Sequence, residues 1–152
     1  ELVRRLADAK ARAGARQQAG TALVIGSDQV AVVDNDVLGK PGTIEGACEQ
    51  LSRLSGRRVS FLTGLCLYNA ALQRSQLDMI PFTVHFRTLS STQIEAYVRR
   101  EQPLNCAGSF KSEGLGIALF ERMEGDDPTA LIGLPLIRLI DMLAAEGVPV
   151  LV

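Results

Sequence analysis

A chain of 152 residues is the size of one ordinary domain, and a composition 47% hydrophobic and 22% charged excludes a disordered, collagen-like or solenoid polypeptide. A net charge of −1 excludes the strongly basic surface that grips long nucleic acid, so any phosphate binding must be local. The expectation is a single domain spanning residues 1–152.

Residues 2–18 place Leu2, Leu6 and Ala9 on one face with Arg4, Arg5, Asp8 and Lys10 around the rest, a helical period closed by Gly20. ALVIGSD, residues 22–28, is a short apolar run ending in polar residues, as in a buried strand that presents Ser27 and Asp28 at its end. QVAVVDND continues extended into a turn at Asp34, Asn35 and Asp36. Thr43 reads as the cap of a helix of about three turns, with Glu45 at its positive end and Gly56 as its stop. Residues 57–70 and 75–89 are rich in β-branched and aromatic side chains and read as a long antiparallel pair, with Pro81 at an edge or bulge. Ser90 with Gln93 is a capping-box signature that opens another helix, ended by Gln102 and Pro103. A glycine-rich stretch from residue 105 leads into a strand, GIALFERM. A last helix has Pro135 in its first turn, Leu136, Leu139, Ile140 and Leu143 as its core face, and Gly147 as its stop. The fold class is α/β, a mixed sheet flanked by helices.

Cys48, Cys66 and Cys106 are odd in number and form no zinc spacing with the lone His85, so they read as reduced cytosolic thiols. No apolar run reaches the roughly 20 residues of a membrane span, and the charged, amphipathic N-terminus is not a signal peptide. The expected location is cytoplasmic, with neither membrane nor nucleic acid as partner. The chain opens on Glu1 in mid-helix, which leads to the expectation that an upstream segment is missing.

Asp28 at a strand end and Lys40 in a GKP turn offer the two services of phosphoryl chemistry, a carboxylate for Mg²⁺ or a water proton and a cation for phosphate oxygens. Spacing alone favours an ordinary turn aspartate and a solvated lysine. LGKPG lacks the GxxxxGK[ST] spacing of a P-loop, and GLGIA fails GxGxxG. Lys10 on its own reads as an exposed helical lysine. Glu113, a carboxylate among glycines, is suited to accept from the N–H donors of a guanine edge. His85 sits among strand residues as a structural histidine, and nothing supports a nucleophilic triad.

RLADAKA, GSDQVAVVDNDVLGKP, VSFLTGLCL, AGSFKSEGLG and LIGLPL occur in this order, and together they resemble the Maf family of nucleoside triphosphate pyrophosphatases. The resemblance implies an ITPase-like α/β fold and a homodimer. It implies Mg²⁺- or Mn²⁺-dependent hydrolysis of a nucleoside triphosphate to the monophosphate and pyrophosphate. Asp28 would be the proton acceptor and metal ligand. Lys10 and Lys40 would contact the triphosphate, and Thr63 and Gly64 would shape the pocket. Gln29 and Glu113 fall at the family's specificity positions and resemble the branch that acts on 7-methyl-GTP as a house-cleaning enzyme. A guanine offers a carboxylate two donor groups, whereas thymine and uracil offer one. The alternatives are a dTTP/UTP pyrophosphatase, or a non-catalytic nucleotide-binding regulator of cell division and septum formation. The family's opening SxSPRR-type segment does not appear, so the expectation is an N-terminally truncated form of reduced activity.

Overall fold

The computed structural model of the chain describes residues 1–18 and 20–152. Its five helices are α1 (Leu2–Ala15), α2 (Ile44–Leu54), α3 (Ser91–Glu101), α4 (Pro128–Ile132) and α5 (Leu136–Ala145). Its strands are β1 (Leu23–Val33), β2 (Asp36–Leu38), β3 (Arg58–Asn69), β4 (Arg74–Phe86) and β5 (Phe120–Glu124), in the sheet order β2-β1-β3-β4-β5. The β1–β2 and β4–β5 pairs are antiparallel, and the short connection from Asn69 to Arg74 gives β3–β4 the same sense. The combination of helices with a five-stranded sheet is the α/β class expected from the sequence. Among the described residues, no helix is long and apolar enough to cross a membrane.

The chain forms two compact units. The first contains residues Glu1–Gln29, Leu62–Pro81 and Asp127–Val152; the second contains Val30–Phe61 and Phe82–Asp126.

In the first unit, α1 buries Val3, Ala7 and Ala11, while Leu2 and Leu6 stay exposed. The apolar face read from the sequence is therefore displaced, and two glycines explain why. A Cβ on Gly26 of β1 would lie 2.2 Å from the Ala7 carbonyl oxygen, and one on Gly64 of β3 would lie 2.1 Å from that of Val3. The helix backbone rests directly on the strands, and only small side chains fit at the seam. Ala7 and Ala11 pack with Cys66 and Tyr68. A second cluster joins Leu65 and Leu67 of β3 to Leu139 and Met142 of α5. Met142 shares the buried face of α5 with Leu139, and Leu143 packs partly buried against them, whereas Leu136 and Ile140 are exposed.

In the second unit, Asp34 and Asn35 both take positive φ, 50° and 68°, which is the geometry of a two-residue hairpin turn that lets Asp36 pair with Val33. The Thr43 hydroxyl accepts from the Gly46 N–H at 2.9 Å, and Ser90 with Gln93 closes a full capping box. Phe61, Phe86, Phe110 and Phe120 form a chain of edge-to-face contacts with centroids 4.9 to 5.9 Å apart. The strand expected from Gly116 begins only at Phe120, because Leu115–Leu119 form a 3-10 turn. A Cβ on Gly116 would meet the Lys111 carbonyl oxygen at 2.1 Å, so the backbone is folded on itself there.

Candidate active site

Asp28 lies half-buried on β1, and Lys10, next to Ala11 and about one turn on from Ala7 in α1, reaches it from the helix. The Lys10 Nζ donates to Asp28 Oδ1 at 2.7 Å and to the Ser27 carbonyl at 3.1 Å. The glycine seam sets this pairing, since close approach of α1 to β1 brings a long helical side chain alongside the strand. Among the described residues only Oδ1 of the carboxylate is hydrogen-bonded, which leaves Oδ2 for a water or a cation. The pair is mostly solvated on the lysine side, so its contribution to stability is small.

Gln29, the next residue, is held differently. Its Nε2 donates to Thr63 Oγ1 at 3.0 Å and to the carbonyls of Ala130 and Leu131 at 3.0 and 3.1 Å. Thr63 is fully buried on β3 and donates its own proton to the Ala130 carbonyl at 2.8 Å. Those carbonyls belong to the last turn of α4, where the Ala130 oxygen also accepts from the capping Gly133 N–H at 3.1 Å. The start of α4 is fixed by Asp127, whose buried carboxylate accepts from Thr129 N at 2.8 Å, Thr129 Oγ1 at 2.6 Å and Ile137 N at 3.0 Å. Burial works to raise the Asp127 pKa, but these donors outweigh it and hold the carboxyl below its ordinary value. Neither α4 nor its carbonyls is evident from a reading of apolar periodicity; Asp127 followed by Pro128 is the local cap signal that marks the helix.

Gly64 follows Thr63, and its missing side chain is what lets α1 lie against β3.

Lys40 and Glu113 belong to the second unit and stand exposed on separate loops. The Gln50 side chain of α2 joins the two loops from below: Nε2 donates to the Gly39 carbonyl at 3.1 Å, and Oε1 accepts from the Ser109 hydroxyl at 2.5 Å. The Glu113 loop is further pinned by Phe110 in the aromatic cluster, by the Lys111 N–H donating to Tyr97 Oη at 2.8 Å, and by the Leu115 N–H donating to Glu101 Oε1 at 2.5 Å. Burial pushes the Tyr97 hydroxyl up to about 12. Gln50 carries no motif, and only the structure reveals it as the fastening of both loops.

The structure thus brings Lys10 to Asp28, and Thr63 to Gln29. His85 bonds to Glu124 at 3.0 Å within the β4–β5 pair. Burial raises all three thiols, Cys66 to about 11, which suits none of them to nucleophilic work.

A divalent cation has a limited donor set here. Among the described residues, no group of three or more His, Cys, Asp or Glu side chains converges. The carboxylate oxygen of Asp28 left free by Lys10 could supply one ligand to a Mg²⁺ ion, which takes one or two carboxylates and draws its other oxygens from elsewhere.

The family model of Maf-like proteins matches residues 1–146. The chain is 65% identical over 147 residues to the 7-methyl-GTP pyrophosphatase of Alcanivorax borkumensis, covering 97% of this chain and 74% of that protein. It is 61% identical to the enzyme of the same name from Pseudomonas putida, over 99% of this chain and 78% of that protein. It is 59% identical to the one from Vibrio cholerae, over 99% and 77%.

Proposed function

The chain belongs to the Maf family, and from that membership we propose that it hydrolyses 7-methyl-GTP to the monophosphate and pyrophosphate, clearing a modified nucleotide from the cytoplasmic pool. The observation that carries the reading is Asp28: a strand carboxylate with one oxygen tied to Lys10 at 2.7 Å and the other unengaged, directly before a glutamine whose amide is fixed.

In this proposal Asp28 takes the proton of a water whose oxygen bonds to phosphorus at the α–β anhydride, the anhydride P–O bond breaks, and the monophosphate and pyrophosphate separate. General-base assistance of this kind contributes about 10²- to 10⁴-fold. Lys10 holds the carboxylate in place and, with Lys40, faces phosphate oxygens. Gln29 and Glu113 select the base. A Mg²⁺ or Mn²⁺ ion bound to the triphosphate, with Asp28 as its carboxylate ligand, would neutralise charge on the phosphates. The proposal includes a homodimer, supported by the exposed Leu136, Ile137 and Ile140 along α5.

The test is pyrophosphate release from 7-methyl-GTP with Mg²⁺, run beside UTP and dTTP. Wild type should favour 7-methyl-GTP, and Asp28→Ala should lose at least about a hundredfold in kcat. Unchanged turnover in Asp28→Ala overturns the assignment of the base. Stoichiometric binding of intact triphosphate without product would favour a regulatory protein.

A further inference from the structure

We propose that Thr63 is a positioning residue for base selection: with the carbonyls of Ala130 and Leu131 it fixes the Gln29 carboxamide so that Oε1, and only Oε1, is turned to the ligand. The inference rests on the reading of Gln29 as a base-selecting residue.

The orientation follows from hydrogen-bond chemistry. A glutamine amide presents a donor end and an acceptor end of nearly the same shape, and a free one flips to suit either kind of ligand. Around Gln29 the choice is removed. The Ala130 and Leu131 oxygens, 3.0 and 3.1 Å away, are main-chain carbonyls and can only accept. The Thr63 hydroxyl could donate or accept, but its single proton already goes to the Ala130 carbonyl at 2.8 Å, so toward Gln29 it too is an acceptor, at 3.0 Å. Three acceptors meet the amide, and its NH₂ group must face them. A flip would set Oε1 against three lone pairs in a buried pocket, with the fully buried Thr63 unable to turn away.

The acceptor end is what remains. Among the described residues no buried side-chain oxygen lacks a partner, and no protein donor meets Gln29 Oε1, so this atom is open to solvent. The residue therefore offers a fixed acceptor and no donor. Nucleobase edges whose N–H groups point at this position are accepted, and edges presenting a carbonyl there are rejected, because two acceptors would oppose each other. A guanine edge places two adjacent donors, N1–H and N2–H₂, beside its O6 carbonyl and so can meet the first condition; uracil sets one N–H between two carbonyls.

Thr63 is the one side chain among the three acceptors, so it is the one that a substitution can remove. Thr63→Val keeps the shape and removes the hydroxyl, leaving one fewer acceptor on Nε2 and one fewer donor to the Ala130 carbonyl. Thr63→Ser keeps both bonds.

The experiment measures kcat/KM for 7-methyl-GTP and for UTP in wild type, Thr63→Val and Thr63→Ser, and the hydrogen exchange of the Gln29 side-chain NH₂ resonances in ¹⁵N-labelled, ligand-free protein. Thr63→Val should lower the ratio of the two substrates by about five- to tenfold, the size of one hydrogen bond, through a raised KM for 7-methyl-GTP with kcat less affected. Thr63→Ser should restore the ratio. The Gln29 NH₂ signals should exchange slowly in wild type and Thr63→Ser, and fast in Thr63→Val. A folded Thr63→Val with the wild-type ratio overturns the proposal, even if its melting temperature falls, since lower stability alone is all a structural threonine predicts. Should Thr63→Val not fold, wild-type NH₂ signals exchanging at the rate of free glutamine overturn it on their own. If wild type turns over neither nucleotide, the function reading fails, while the exchange measurement still decides whether the amide is locked.

Discussion

In the first unit Asp28 and Gln29 sit on a strand and each is met directly by another side chain, Lys10 in one case and Thr63 in the other. In the second, Lys40 and Glu113 stand on exposed loops fastened from beneath by Gln50 and Phe110. The first arrangement fixes individual atoms, such as the Gln29 carboxamide. The second fixes where a loop runs and leaves the tip of the side chain free. The packing beneath differs in the same sense: the first unit brings backbone against backbone at Gly26 and Gly64, whereas the second fills its centre with rings.

The largest effect should come from the rings. Phe110→Ala removes the aromatic that touches Phe61, Phe86 and Phe120, and denaturant unfolding should show a loss of about 3–5 kcal/mol. A loss below about 1 kcal/mol would mean that the Glu113 loop is not anchored by the aromatic cluster. Gly64→Ala tests the first unit. The added methyl would sit 2.1 Å from the Val3 carbonyl oxygen, and because the obstacle is backbone the cost should reach about 3 kcal/mol, the upper part of the over-packing range. A near-neutral Gly64→Ala would remove the distinction drawn between the two kinds of packing.

Asp127→Asn should cost about 1–3 kcal/mol at neutral pH, because the amide cannot accept from Thr129 and Ile137 through both of its ends. The native Asp127 pKa is depressed, so the charged carboxylate contributes stability that is fully present above its unfolded pKa, near 4, and is lost as pH falls through the lower folded value. Thermal melts at several pH values should therefore show the gap between wild type and Asp127→Asn closing on acidification. A gap that widens toward low pH would contradict the network.

How much of this was readable in advance depended on whether the signal was local. The caps at Thr43 and Ser90 and the turn at Asp34 and Asn35 are decided within four residues, and the structure has all three. The buried face of α1 was not legible: Leu2 and Leu6 are the larger side chains, but Gly26 and Gly64 select small ones, and those glycines lie on strands distant in sequence. The strand expected from Gly116 failed for a related reason, since the chain folds back on Lys111 and pairs only from Phe120. Of the candidate residues, Asp28, Gln29, Lys40 and Glu113 stood out through the family motifs rather than through composition. The partners of Gln29 did not stand out at all, because main-chain carbonyls leave no mark in a sequence and Ala130 lies 101 residues away.

The smallest stability effect should be that of Lys10→Met. Its partner Asp28 is the centre of the proposed chemistry, yet the lysine side chain is 57% exposed, and an ion pair so placed contributes no more than about 1 kcal/mol after screening and side-chain entropy. Unfolding measurements at low salt should thus show a loss within that range, shrinking further at high ionic strength as the Debye length shortens. Pyrophosphate release should respond differently. With Lys10 gone, Oδ1 loses its 2.7 Å partner and the carboxylate turns freely about its side-chain bonds, so kcat for 7-methyl-GTP should drop more than the unfolding energy does. A variant whose stability falls by several kcal/mol would instead make Lys10 a structural residue. The first unit would then fix Asp28 as firmly as it fixes Gln29, and the contrast between a solvated pair at Asp28 and a more deeply buried one at Gln29 would disappear.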